Sequence, residues 1–178
     1  YFQLGKTDDA INIMSDLIDK NPLFYEGLVN LGFFKFKLKE LKQAEENFRK
    51  ALSINNEQIE AKTGLCNVML LSNEDGSRDS EIEKLILEVL QKEPLNIPFR
   101  QIAGRFYKSK GQWDVAIKFL ERVLTNELIY DLFECIYEVN NQKELQDFIK
   151  FCNKTYSSDK RMASLTDFAC DQNEILNP

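Results

Sequence analysis

No histidine occurs among the 178 residues, which removes the commonest general base and the commonest metal ligand together. Glycine is scarce: seven residues are scattered singly, so neither a phosphate-cradling loop nor a dinucleotide fingerprint is present. The motif around a serine nucleophile is missing as well. Carboxylate pairs such as Asp8-Asp9 and Glu45-Glu46 exist, but helical periodicity puts them on surfaces facing water. A glycosidase-type pair needs two carboxyls opposed across a cleft. These absences predict a non-catalytic chain without cofactor or metal.

Cysteine is also sparse. Cys66, Cys135, Cys152 and Cys170 lie too far apart in sequence for a zinc knuckle or a redox pair. Cys66, Cys135 and Cys152 fall within helical apolar patterns, where a thiol behaves as a small hydrophobe. They are expected as reduced core residues of a cytoplasmic protein. Long apolar runs are missing too. A stretch such as Leu31-Gly32-Phe33-Phe34 is far too short to cross a bilayer, so no membrane insertion is expected. The opening Tyr1-Phe2-Gln3-Leu4-Gly5 has no basic flank and no apolar signal core. It suits the aromatic end of a first repeat helix, although Tyr1-Phe2-Gln3 also resembles the remnant of a cleaved tag. Without an export signal, the sequon Asn153-Lys154-Thr155 reads as chance.

Positive charge is in deficit. Lysine plus arginine total 23 against 29 acidic residues, a net charge of −6. Nucleic-acid binding depends on neutralising phosphates, so no nucleic-acid partner is expected. The densest basic stretch, Lys35, Lys37, Lys39 and Lys42, reads as a solvated helix end. Hydrophobic residues make up 43%, enough for a globular core rather than disorder.

What the chain does have is a period. Ala10, Met14, Leu17 and Asn21-Pro22 reappear 34 residues later as Ala44, Phe48, Ala51 and Asn55-Asn56. The pattern returns at Lys110-Gly111-Gln112-Trp113, followed by Ala116, Leu120 and Val123. Ahead of each block lies a helix ending in a glycine or polar turn, as in Leu28-Leu31-Gly32 and Ala103-Gly104 with Tyr107. In these features the chain resembles the tetratricopeptide repeat family, whose unit is a helix–turn–helix of 34 residues. The resemblance implies an all-α fold, a right-handed superhelical solenoid of antiparallel helix pairs. Small residues at Gly32, Cys66 and Gly104 would let the first helix of a unit approach the second. Ala10, Ala44 and Ala116 supply the small partner, and Phe48, Ile86 and Leu120 fill the space toward the next unit. Asn21-Pro22 and Glu93-Pro94 close one unit and open another.

On this reading residues 1–24 are the tail of one unit, and residues 25–58 form a complete one. Residues 59–96 form a third, lengthened in its inner turn, Asn73 to Asp79, where Ser80-x-x-Glu83 is expected to restart the helix as a capping box. Residues 97–125 form a fourth, and residues 126–154 a degenerate fifth, its second helix capped by Asn141-x-x-Glu144. Residues 155–178 follow a polar break at Ser157-Ser158-Asp159, with Met162, Leu165, Phe168 and Ala169 at helical spacing. Solenoid ends expose apolar faces, so this tail is expected to be a capping helix; docking into the chain's own groove or onto a second copy is the rival.

The resemblance also places a binding surface, because the first helices of successive units line the concave face in this family. It nominates Glu26, Asn30, Phe33 and Lys37, then Thr63 and Asn67, then Gln101, Arg105 and Lys108, then Glu127, Tyr130 and Glu134. Phe33 would anchor apolar groups, and Arg105 with Lys108 would form a cationic patch. Some members clamp the C-terminal carboxylates of cytosolic heat-shock chaperones with lysines, asparagines and an arginine. Asn30 fits one asparagine place, but Glu60 and Gly64 stand where the lysine and arginine belong. Sliding by one unit gives Val29 and Phe33, then Pro98 and Ile102. A chaperone-tail partner is therefore not expected. The function implied is a non-catalytic scaffold that holds a protein or peptide segment. The alternatives are a regulatory or assembly domain of a larger enzyme or secretion machine, and an array that self-associates into a homo-oligomer through its ends.

Overall fold

A computed structural model describes residues 7–121, 129–139 and 142–155. The expected cap beyond Thr155, the opening Tyr1–Gln3, Glu127, Asn141 and Cys170 lie outside the described residues. The described residues form nine α-helices and no strand. These are α1 (Thr7–Lys20), α2 (Tyr25–Lys37), α3 (Leu41–Ile54), α4 (Ile59–Leu71), α5 (Asp79–Lys92), α6 (Ile97–Ser109), α7 (Trp113–Leu120), α8 (Ile129–Glu138) and α9 (Gln142–Thr155). The chain divides into two compact units, Tyr1–Phe106 and Tyr107–Pro178.

In the first unit α2 packs on α1, α3 and α4, and α5 packs on α4. This explains the two kinds of helix in the sequence. α3 is amphipathic: Ala44, Phe48 and Ala51 are fully buried at i, i+4 and i+7, while Lys42, Glu46, Arg49 and Lys50 face water. α2 has neighbours on several sides and buries Gly27, Leu28, Val29, Leu31 and Gly32. An apolar stripe suffices for an outer helix, whereas an inner one needs apolar residues around more of its circumference.

Phe48 joins consecutive pairs. A Cβ built on Gly32 would stand 2.7 Å from its Cε1, and one built on Gly64 would stand 2.2 Å from its Cζ. The ring is thus held between α2 and α4 at two points where no side chain fits. Cys66 is fully buried as expected of a small slot, but the contact with Phe48 falls at Gly64.

The turns are set by local chemistry. After α2, Lys39 adopts φ 63° while its N–H donates to the Phe36 carbonyl and the Glu40 N–H to the Lys35 carbonyl, both at 3.0 Å. This is the Schellman closure, with a lysine in the left-handed position that glycine usually takes. The same closure follows α6: Gly111, at φ 67°, donates to the Lys108 carbonyl and Gln112 to the Tyr107 carbonyl, both at 2.9 Å. In the long inner turn the Asn73 carboxamide oxygen accepts the Arg78 N–H at 2.8 Å, and its nitrogen donates to the Asp79 carboxylate at 2.6 Å. α5 accordingly starts at Asp79 with Arg78 as its N-cap, and no side chain caps it. The expected Ser80-x-x-Glu83 box is not formed, because Asn73 fixes the chain reversal so that the helix cap falls two residues earlier, at Arg78, and leaves Ser80 inside the first turn.

The second unit has its own core, in which α7 packs on α8 and α8 on α9. Leu120, Ile129, Leu132, Cys135 and Cys152 are nearly or fully inaccessible. Tyr107 stacks on Phe119, with centroids 5.6 Å apart and planes 5° from parallel. The all-α class of paired helices that the resemblance implies is what the described residues show.

Candidate functional site

α2, α4 and α6 carry the nominated surface of the first unit. Spacings of three and four residues bring Glu26, Asn30, Phe33 and Lys37 to one side of α2. Glu26, Asn30 and Lys37 are exposed. Phe33 is half-buried and meets Phe48 edge-on, with ring centroids 5.0 Å apart and planes at 72°. It therefore belongs partly to the core. On α4, Thr63 and Asn67 are half-buried, and the Thr63 hydroxyl donates to the Ile59 carbonyl at 2.8 Å. On α6, Gln101 is half-buried and Arg105 exposed.

A common chemistry unites the three helices. Asn30, Asn67 and Gln101 each present a carboxamide that has no side-chain hydrogen-bond partner among the described residues. A carboxamide offers two donors and an acceptor, so each can pair with a peptide group of an extended chain.

Lys108, Tyr130 and Glu134 belong to the second unit. The Lys108 ammonium lies 2.7 Å from Asp131 and 2.6 Å from Glu134. Burial lowers its pKa, but the hydrogen bonds it donates to these two carboxylates, with their charge, outweigh that and hold it above its ordinary value. Lys108 and Glu134 thus meet each other rather than acting as a cationic patch followed by an acidic region. Tyr130 is half-buried.

The first unit also holds a charge cluster that the repeat period does not point to. Arg49 grips Glu81 with its two terminal guanidinium nitrogens, Nη1 and Nη2, at 2.7 and 2.9 Å, and donates from Nε to Glu45 at 2.8 Å. Arg78 holds the other Glu45 oxygen at 2.8 Å. Burial pushes the Glu45 carboxyl up, yet hydrogen bonds from Arg78 and Arg49 hold it below the ordinary carboxylate range. Glu81 is held down chiefly by the hydrogen bond from Arg49. Arg49 and Glu81 also border a groove of about 360 Å³ between α3 and α5, floored by Leu52, Leu65 and Leu85. The available signal was opposite charges lying about one repeat apart on successive second helices. Beside it, Lys62 is buried and its ammonium bonds Glu88 at 2.5 Å.

The thiols of Cys66, Cys135 and Cys152 are free and buried, and burial pushes them up to about 12, 11 and 11. Among the described residues no group of three or more acidic or thiol side chains could hold a metal ion. None of their helices is long and apolar enough to cross a membrane.

Comparison with known proteins adds four findings. The sequence model of the tetratricopeptide repeat matches residues 25–58. Human interferon-induced protein with tetratricopeptide repeats 2 is 28% identical over 122 residues, 66% of this chain and 26% of the relative. The mouse interferon-induced protein with tetratricopeptide repeats 3 is 26% identical over 140 residues, 75% of this chain and 34% of the relative. The chain thus spans between a quarter and about a third of the length of these relatives. Among solved structures, a thermophilic TPR protein of Thermus thermophilus, TTC0263, superposes with a TM-score of 0.70 at 19% identity. That match covers 95% of this chain and 93% of the other. At this identity the likeness is one of fold.

Proposed function

The chain belongs to the tetratricopeptide repeat family, and from that premise we propose that it is a protein-binding scaffold whose first-helix surface in the first unit holds an extended peptide segment. The observation that carries this reading is the set of carboxamides at Asn30, Asn67 and Gln101, one on each of α2, α4 and α6. Accessible amides at these positions give backbone-directed recognition, which suits a partner held in extended form. Glu26, Lys37 and Arg105 then bias its charge pattern, while Phe33, braced on Phe48, offers a rigid aromatic edge. The partner is a protein, without nucleic acid or membrane insertion, and the buried thiols suit a reducing, cytoplasmic setting.

The test is selection of displayed random peptides on the full chain, followed by titration against an Asn30→Ala, Asn67→Ala variant. Each lost amide pair is worth about 1 kcal/mol. The double variant should therefore weaken Kd on the order of thirtyfold. Its thermal midpoint should stay close to the parent's, since neither side chain supports the core. Selected peptides that bind parent and variant equally would remove this surface from the function. An Arg105→Glu variant should shift the preferred peptide charge; an unchanged consensus would remove Arg105 from the site.

A further inference from the structure

α3 and α5 both pack on α4 but not on each other. What joins them is charge, on a register of about one repeat. At one end Glu45 pairs with Arg78 and Arg49 with Glu81, 33 and 32 positions apart. At the other end Lys92 pairs with Glu57, 35 positions away in the turn after α3. The same register sets Leu52 opposite Leu85, 33 positions on, yet these two do not close on each other. With buried Leu65 of α4 they line the groove of about 360 Å³. Long arginine, lysine and glutamate side chains bridge a helix separation that two leucines leave open. A benzene ring fits a cavity of about 150 Å³, so this groove has room for a large apolar side chain and part of its backbone.

The rim carries four charges, and three of them are engaged. Glu81 is held by Arg49, and Glu88 by buried Lys62. Arg49 is itself divided between Glu81 and Glu45. Lys84, exposed on the rim, makes no ion pair among the described residues. An apolar groove beside one uncompensated ammonium selects an apolar residue with a carboxylate close by. We propose that the α3–α5 groove is a second docking site, which takes a large apolar side chain from an acidic segment of a partner protein and sets a carboxylate of that segment on Lys84. The site is built on second helices, whereas Asn30, Asn67 and Gln101 belong to α2, α4 and α6. The ion pairs act as its props, since they keep α3 and α5 from closing over the leucines.

The test uses the full chain carrying Asn30→Ala and Asn67→Ala, so that the first-helix surface contributes little. Displayed random peptides are selected on it, and the enriched ones are titrated against further variants. The expected consensus is a leucine, isoleucine or phenylalanine within a few positions of an aspartate or glutamate. Lys84→Glu replaces attraction by repulsion at an exposed position and should weaken these peptides about tenfold. Ser53→Trp puts a ring into the groove from its exposed edge and should abolish their binding. Both variants should keep the parent's circular dichroism spectrum. A basic consensus, binding that survives Ser53→Trp, or no enrichment at all would each overturn the proposal. Peptides lost with Ser53→Trp but indifferent to Lys84→Glu would remove the carboxylate contact and with it the acidic partner. Self-association of the chain that Ser53→Trp abolishes, read by sedimentation, would make a second copy the occupant and overturn the proposal too.

Discussion

Phe48 shows how one residue decides whether two helix pairs can stack. Its ring is fully buried, and the space a methyl would take at Gly64 is already filled by ring carbons at 2.2, 2.3 and 2.6 Å. Two effects oppose each other in Gly64→Ala. Alanine gains about 1 kcal/mol in helix propensity over glycine. Overpacking a closed core costs about 1–3 kcal/mol, because the ring must leave its rotamer or the helices must part. At these distances the clash wins, and Gly64→Ala should lower stability by about 1–2 kcal/mol in urea unfolding. Gly32→Ala meets the same ring at 2.7 Å and should cost less. Equal or reversed effects would mean that α4 shifts freely over Phe48.

At the scale of elements, the turns after α2 and α6 share one closure but differ in the residue that bears the positive φ. An L-residue in the left-handed region carries a penalty that glycine avoids. Glycine also loses more backbone freedom on folding, which recovers part of that difference for lysine. The net expectation is that Lys39→Gly raises stability by about 0.5–1 kcal/mol and Gly111→Ala lowers it by a similar amount, read as opposite shifts in thermal midpoint. Gly111 is the clean control, since a Cβ there would meet nothing nearer than 3.9 Å. The helices themselves were legible because burial follows a 3.6-residue stripe: Ala44, Phe48 and Ala51 give α3 away from sequence alone. The start of α5 was not, because Asn73 controls it through hydrogen bonds that skip five and six residues, and a capping motif looks only at its own turn. The same limit applies to the candidate surface. The period marked out the helix pairs, and the resemblance nominated positions on α2, α4 and α6, of which Phe33, Thr63, Asn67 and Gln101 prove half-buried. Neither had any means of knowing that Lys108 would turn to Asp131 and Glu134, residues 23 and 26 positions away in sequence.

At the scale of the whole molecule, the two units should respond to opposite ends of the pH range. In the first unit the pKa values of Glu45 and Glu81 are lowered from 4.5 by their arginine partners. A carboxylate with a lowered folded pKa contributes stability that is fully present above 4.5 and is lost as pH falls through the folded value. In the second unit the Lys108 pKa is raised from 10.5 by Asp131 and Glu134. That contribution is intact below 10.5 and disappears as pH rises through the raised value. The size is bounded by exposure: the Arg49 and Glu81 side chains are 43% and 42% accessible, so solvent screens them. Even with bidentate geometry the pair is worth at most about 1 kcal/mol. Glu81→Gln should therefore destabilise the chain by up to about 1 kcal/mol near neutrality. The gap between parent and variant should close as pH drops below 4.5, because protonated Glu81 can no longer hold Arg49 as an ion pair. Added salt should narrow the same gap at neutral pH, since exposed charges are screened within about a Debye length. Urea midpoints of the two proteins across the acid range decide the matter. A gap that persists unchanged at low pH would show that Glu81 acts through packing or a neutral hydrogen bond, and that charge does not tie α3 to α5.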